Sequence, residues 1–344
     1  MNRFLSMSDV KEYKIDPERR IFSANHEEIV DASTTDVYFV KTNEIINALG
    51  MENTEVIAEI FTRKAGVFCG LPEVLTLLEN TDVEVFSLNE GEEMKDREVV
   101  IRIKGKYSEF GAYETAILGI LASSCGWATA ARIAKAAAGD SKTLVFGARH
   151  VHPAVAPVME RAAIIGGMDG ASCILGAKLA GIEPQGTLPH AVFLLAGDTV
   201  EVALKYDEIM PPDALRLVLV DTFKDEAEET LRVAEALQGK LQGIRLDTPG
   251  ERGGVTPELV REIRIRLDQA GFPEVKIFVS GGLTPEKIEL LKQAGADSFG
   301  VGSYISGASP IDMTMDIKEV NGKPIAKRGR IPGITENNRL KKVK

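Results

Sequence analysis

The chain has 344 residues, 44% hydrophobic and 27% charged, with a formal net charge of −10 and a sequence pI of about 5.2. That acidic balance argues against general binding to nucleic acid or to an anionic membrane surface, and no apolar run reaches the roughly 18 residues of a membrane span. Met1 to Asp9 lacks a signal-peptide pattern, and Cys69, Cys125 and Cys173 are too scattered for a CxxC pair. Disulfides and structural zinc are therefore not expected, and a reducing cytoplasm is the natural location.

In chain order, residues 36–41, 55–62, 83–88 and 98–104 are rich in Val, Ile and Phe between turn residues, so they read as short strands. An acidic turn falls at 91–93. Residues 108–138 read as helix, with Tyr113, Ile117 and Leu121 at helical spacing. Past Gly139–Asp140 the pattern becomes repeated strand, turn and helix. Strands are predicted near 143–147, 171–174, 184–187, 215–220, 241–246, 275–280 and 297–301. Helices are predicted at 153–165, 174–180, 199–208, 224–238, 256–270 and 284–294. Such alternation predicts a parallel sheet, and seven or eight units suggest closure into an α/β barrel. Residues 313–319 and 324–327, flanking an Asn-Gly turn, read as a hairpin, with a basic tail from Arg328 to Lys344. The expected organisation is an N-terminal α/β domain (1–138), a barrel (139–309), and a C-terminal hairpin and tail (310–344) joining the N-terminal domain.

Chemistry in such folds gathers at the C-terminal ends of parallel strands. Three of the four histidines, His150, His152 and His190, fall in one stretch, with Arg149 where a buried strand would end. Later strands end on Asp221, on Arg245 and Asp247, on Ser280–Gly281–Gly282, and on Gly300, Gly302 and Ser303. The two glycine tracts suit a phosphate cradle, with Thr284–Pro285 opening the next helix. Asp221 and Asp247 could hold Mg²⁺ or ribose hydroxyls, or Asp221 could simply cap a helix. Strand alternation puts Arg245 and Asp247 on one face.

With these strand ends in view, the chain resembles the type II phosphoribosyltransferases, and within them the nicotinate branch. The segments that carry the resemblance are TTDVYFVKT (34–42), ETAILGILASSCGWAT (114–129), FGARHVHP (146–153), GTLPHA (186–191), LVDT (219–222), GIRLDT (243–248), VSGGL (279–283) and GVGS (300–303). The resemblance implies an open, irregular α/β barrel of about seven strands with an N-terminal α/β domain and a nearby C-terminal hairpin. It implies transfer of ribose 5-phosphate from phosphoribosyl pyrophosphate to nicotinate, giving nicotinate mononucleotide and pyrophosphate in NAD biosynthesis.

By the same match Asp221 and Asp247 would hold Mg²⁺ and the ribose hydroxyls. Ser280, Gly281, Gly282, Gly300, Gly302 and Ser303 would hold the 5-phosphate, and Arg149 or Arg245 the nicotinate carboxylate. His190 falls where relatives are phosphorylated by ATP, a co-substrate, although a plain hydrogen-bonding histidine is the alternative. Tyr38 would stack on the pyridine ring in a head-to-tail homodimer; otherwise it is a half-buried aromatic in an edge strand. Some relatives carry a four-cysteine zinc knuckle, but no cysteine follows 173, so zinc is not expected here. His150 stands where the quinolinate enzymes have lysine, and Arg252 has no assigned role. The alternatives are a decarboxylating quinolinate phosphoribosyltransferase, another sugar-phosphate barrel enzyme such as an isomerase, and a non-catalytic regulator that binds phosphoribosyl pyrophosphate.

Overall fold

A computed structural model describes residues 4–344, so the first three residues of the segment tested for a leader lie outside it. The chain forms two units: residues up to Ala128 together with Ser309–Lys344, and Thr129–Ala308.

In the first unit, alternation along Glu55–Thr62 turns Val56, Ala58 and Ile60 into the core. This strand pairs antiparallel with Val99–Lys106 on one side and with Met313–Val320 on the other. Val83–Ser87 extends the sheet beyond Val99–Lys106. The hairpin forms, with Met313–Val320 pairing Lys323–Pro324. The basic tail is not loose: Lys341–Lys342 adds an edge strand to Val83–Ser87. Glu59, a buried acid, anchors that return by accepting from Arg102 at 2.7 Å and from the Thr335 N–H at 3.1 Å.

Several expectations for this unit fail. Residues 36–41 are not a strand; they open the helix Val37–Ala48, which buries Phe39 and Val40 and leaves Tyr38 54% exposed. Val-Tyr-Phe-Val reads as β only when isolated, and no Gly or Pro interrupts the run to Ala48, so helix propagates through it. The short helices Met7–Glu12 and His26–Val30 were also unforeseen, although capping boxes at Ser6/Asp9 and Asn25/Glu28 mark both. Leu71–Leu78, another unforeseen helix, starts with Pro72 in its first turn.

Residues 107–138 form a short helix, a 3₁₀ turn and the long helix Glu114–Ala138. By length and composition this stretch is apolar enough to cross a membrane, contrary to the expectation from the sequence. Ile117, Leu121, Cys125, Ala128 and Ala131 recur along one buried face, as in a core helix. Gly126 is required by packing: a Cβ there would come within 2.5 Å of the Ser309 carbonyl oxygen.

Glu114, at the first turn, has its carboxyl pushed up to about 7 by burial, with Asp316 adding and Lys327 opposing. A carboxyl raised on folding binds protons better in the native state, so its contribution to stability falls as pH rises from 4.5 through about 7. Discounted for partial exposure, the loss is about 1–2 kcal/mol. Glu114→Gln is expected to match the parent chain near pH 4 and to exceed it by that amount near pH 8, measured by denaturant unfolding. An offset independent of pH would assign the effect to packing instead.

The second unit is the α/β part. Its parallel sheet runs in the order Gly170–Ala171, Lys142–Val145, Ser298–Val301, Lys276–Ser280, Gly243–Leu246, Leu217–Leu219. The helices Ala156–Gly166, Ile174–Leu179, Thr199–Ile209, Glu226–Leu237, Pro257–Gln269 and Pro285–Gln293 lie between strands as predicted. Two strand predictions shrink. Only Gly170–Ala171 pairs from the region near 171–174, and residues 184–187 are extended without a ladder. They touch the sheet through the Gln185 N–H, which donates to the Ala171 carbonyl at 2.8 Å. The helix His190–Ala196 was not predicted; it begins right after Pro189.

Candidate functional site

Each late strand is a largely apolar run that gives way within two residues to an aspartate or to glycine. Gly243–Leu246 buries Ile244 and Leu246 and turns Arg245 to the other face, with Asp247 following on that same face. Arg245 donates from Nη2 to Asp247 Oδ2 at 3.0 Å, from Nε to Ser280 Oγ at 2.8 Å, and from Nη1 to Thr187 Oγ1 at 2.6 Å. Its guanidinium also lies 5.3 Å from the centre of the Phe146 ring. Burial lowers the Arg245 pKa, and the charges of Asp247 and Asp221 oppose that shift.

Asp247 Oδ1 accepts from Ser280 Oγ at 2.9 Å, and the Asp247 N–H donates to Asp221 Oδ2 at 2.5 Å. The Asp221 side chain is 1% exposed and its Oδ1 has no hydrogen-bond partner. Burial raises the Asp221 pKa; the Asp247 amide and the nearby His190 work against that, and the Asp247 charge adds to it. His190 Nε2 stands 3.7 Å from both Asp221 Oδ1 and Asp247 Oδ2, and its Nδ1 bonds Thr222 Oγ1 at 3.1 Å. The capping alternative for Asp221 is therefore not realised: the cap of Glu226–Leu237 is Asp225, which accepts from the Ala227 and Glu228 amides.

Arg245, Thr187, Asp247 and Ser280 border a cavity of about 350 Å³, whose walls also include Arg149 and Ser303. The cavity also takes in Gly281, Gly282, Gly300 and Gly302. The two glycine tracts differ in why they need glycine. Gly281 and Gly282 adopt φ of +92° and +57°, and a Cβ on Gly281 would sit 3.0 Å from Asp247 Oδ1. Gly300 and Gly302 are forced by packing, since a Cβ would meet the Phe146 ring at 2.6 Å or His150 Cε1 at 2.9 Å. Thr284 caps the helix after the first tract, as predicted, by accepting from the Lys287 N–H.

Arg149, exposed on the turn Ala148–His150, lines the cavity, and His150 Nδ1 bonds Ser306 Oγ at 3.1 Å. The site thus brings together Arg149, Arg245, Asp247 and both glycine tracts, with Asp221 and His190 reached through Asp247. Tyr38 lies in the first unit, on the helix Val37–Ala48. Arg252, without a role from sequence, pairs with buried Glu226 at 2.9 Å.

Three contributors were missed. Thr187 is visible only as part of GTLPHA. Ser172 lines the cavity from the turn after Gly170–Ala171. Glu160, fully buried on Ala156–Gly166, accepts from the Cys173 N–H at 2.6 Å and from Ser172 Oγ at 3.0 Å, so it holds that turn. Its signal was an acid among the inward positions Ala156, Met159, Ala162 and Ala163.

Among the described residues no group of three or more His, Cys, Asp or Glu is arranged to hold a metal by itself. The orphaned Asp221 Oδ1 beside Asp247 still suits Mg²⁺, which commonly takes one or two carboxylates and completes its shell with water and substrate phosphates.

Two family models match the chain: the quinolinate phosphoribosyl transferase N-terminal domain over residues 36–125, and the C-terminal domain of the same family over residues 127–316. A crystal structure of nicotinate-nucleotide pyrophosphorylase from Pyrococcus furiosus is similar at 44% identity and a TM-score of 0.88, covering 92% of this chain and 82% of that one. Among curated proteins, nicotinate phosphoribosyltransferase of Bacillus subtilis (strain 168) is 29% identical over 79% of this chain and 62% of its own length. Nicotinate phosphoribosyltransferase pncB1 of Mycobacterium tuberculosis (strain ATCC 25618 / H37Rv) is 32% identical over 67% of this chain and 52% of its own. The chain therefore spans only about half to three fifths of those curated relatives. The two domain models and the 44% identical structure favour the quinolinate alternative over the nicotinate branch that the motifs put first. At the level of family both agree, and the chain belongs to the quinolinate phosphoribosyltransferase family of type II phosphoribosyltransferases.

Proposed function

We propose that the chain transfers the 5-phosphoribosyl group of phosphoribosyl pyrophosphate to the ring nitrogen of a pyridine carboxylate, quinolinate first, forming nicotinate mononucleotide. The observation that carries the reading is buried Asp221 bonded to Asp247, the latter lining a cavity that also holds two glycine tracts and an exposed arginine. The bond from the anomeric carbon to pyrophosphate breaks, the bond to the ring nitrogen forms, and positive charge develops on the ribose between them. Asp221 and Asp247 supply fixed negative charge for that state. In the quinolinate reaction the 2-carboxylate leaves as carbon dioxide and a proton takes its place.

Asp221 and Asp247 would hold Mg²⁺, which would supply positive charge to balance the leaving pyrophosphate. Ser280, Gly281, Gly282, Gly300, Gly302 and Ser303 cradle the 5-phosphate. Arg245 has donors committed to Ser280, Thr187 and Asp247. Arg149, which makes no such bonds, takes the ring carboxylate as a planar fork. A cytoplasmic homodimer, with Tyr38 stacking on the pyridine ring, is part of the same proposal.

One observation favours nicotinate as a second reading: Arg149 is the cavity's one arginine free of internal pairing, and no lysine lines the described cavity, whereas a dicarboxylate calls for more cations. In that reading His190 carries a phosphoryl group from ATP. Purified chain given phosphoribosyl pyrophosphate, Mg²⁺ and each acid separately decides the matter. Nicotinate mononucleotide formed from quinolinate with equal carbon dioxide supports the first reading. Product from nicotinate alone transfers the assignment to the second, and no product from either acid overturns phosphoribosyl transfer.

Two variants sharpen the test. Arg149→Lys should raise KM for the acid about tenfold while KM for phosphoribosyl pyrophosphate stays within about twofold. Equal effects on both would remove Arg149 from carboxylate recognition. His190→Ala should abolish any ATP stimulation and leave slow ATP-independent transfer; unchanged stimulation would clear His190 of the phosphoryl role.

A further inference from the structure

A second cavity, of about 780 Å³, lies within the α/β unit at the opposite ends of the same strands. Lys142, Leu217, Gly243, Lys276 and Ser298, which open their strands, all face it. The catalytic cavity is instead built from residues that close those strands, such as Asp247, Ser280 and Ser303. The two spaces meet at Gly186 and are separated by aromatic rings. Phe278 walls the second cavity and packs on Phe146 of the first, with ring centres 5.8 Å apart.

The cavity exists because the sheet stops short there. The ladder ends at Gly170–Ala171 on one side and at Leu217–Leu219 on the other. Residues 184–187 lie alongside the former through the Gln185 N–H alone. Gly170 and Gly243 let neighbouring leucines lie flat on the strands: a Cβ at either would come within 2.5 Å of Leu144 or 2.9 Å of Leu217. Space that side chains would fill in a closed barrel is left open.

The walls define what fits. Leu144, Leu215, Leu217, Phe278, Pro184 and Tyr206 give apolar and aromatic surface. Gln185, Glu183 and Asp213 add polar groups to the wall, with Gln185 Oε1 itself turned into the protein and closed off from the space. At the rim, Lys142 makes no ion pair, while Lys276 is paired with Asp297 at 3.4 Å. A mostly apolar space of this size with a few fixed polar groups has the character of a small-molecule site.

We infer that the strand-start cavity is a second ligand site, for a flat aromatic molecule that carries an acidic group for Lys142. This site goes beyond the phosphoribosyl transfer proposed above and does not depend on it.

The probe is 8-anilino-1-naphthalenesulfonate, whose aromatic rings and sulfonate match the apolar walls and Lys142; its fluorescence is followed on titration with the full chain. Saturable binding at one site is expected. Leu217→Trp, which fills the cavity, should weaken it at least about tenfold. Leu215→Trp should also weaken it, and because Leu215 is 53% exposed this substitution keeps the chain folded, as a melting curve will confirm. Arg149→Ala, in the other cavity, should leave dye affinity unchanged. No saturable binding to folded chain, binding indifferent to both tryptophans, or loss of binding in Arg149→Ala would each overturn the second site. Because none of these readouts involves turnover, failure of the proposed activity leaves the test intact.

Discussion

Asp247→Ala is expected to lower kcat by about three orders of magnitude, close to 4 kcal/mol of transition-state stabilisation, while the chain stays folded. The size follows from how many groups this carboxylate organises. It fixes Arg245 at 3.0 Å and the Ser280 hydroxyl at 2.9 Å, while the backbone N–H that holds Asp221 Oδ2 survives the substitution. Alanine removes the negative charge assigned to the ribose and also strips a half-buried guanidinium of its counter-ion, which leaves an unbalanced cation beside the place where positive charge must develop. Asp247→Asn separates the two causes: it keeps the shape and one acceptor but not the charge, and should retain no more than about a tenth of parental turnover. The measurement is kcat with saturating substrates beside a melting curve. An Ala variant within about tenfold of the parent would mean that Asp247 serves architecture alone.

That this residue could be chosen from the sequence follows from strand geometry. An apolar run ending in a charged residue leaves few places for the charge, and two-residue spacing puts Arg245 and Asp247 on one face, where the 3.0 Å bond joins them. The glycine tracts were legible for a related reason, although Gly300 and Gly302 turn out to be demanded by Phe146 and His150, contacts that local pattern cannot reveal.

What stayed hidden was set by distant partners. Thr187 bonds Arg245 across 58 positions, and the Glu59 contact that ties down the C-terminal tail spans 276. Residues 36–41 misled because β-branched and aromatic residues also suit a helix, where here only Phe39 and Val40 turn to the buried face. The quinolinate and nicotinate branches share their strand ends, so strand-end motifs fix the family more firmly than the acid it uses.

Glu160→Ala is expected to cost about 2–4 kcal/mol of stability, a melting temperature lower by about 5–10 °C, even though no part of Glu160 touches the cavity. Burial pushes the Glu160 pKa up, while hydrogen bonds from Cys173, Ser172 and Ala148 draw it back. Alanine leaves the Cys173 amide and the Ser172 hydroxyl without their acceptors at 2.6 and 3.0 Å. It keeps the Glu160 Cβ, which lies so close to Gly176 that a Cβ added there would come within 3.0 Å of it, so the contact between the helices Ala156–Gly166 and Ile174–Leu179 survives and the loss is polar rather than steric. Glu160→Gln retains one acceptor but sets an N–H₂ against a donor, and should fall between the two at about 1–2 kcal/mol.

The effect also reaches the site, because Glu160 braces the Ser172 turn and the backbone at Ala148, next to Arg149. Under the proposed function, KM for the acid should rise several-fold with kcat little changed, the pattern of lost positioning rather than lost chemistry. A melting temperature within about 1 °C of the parent would show that the carboxylate is dispensable. An unchanged KM beside the expected destabilisation would confine Glu160 to the fold.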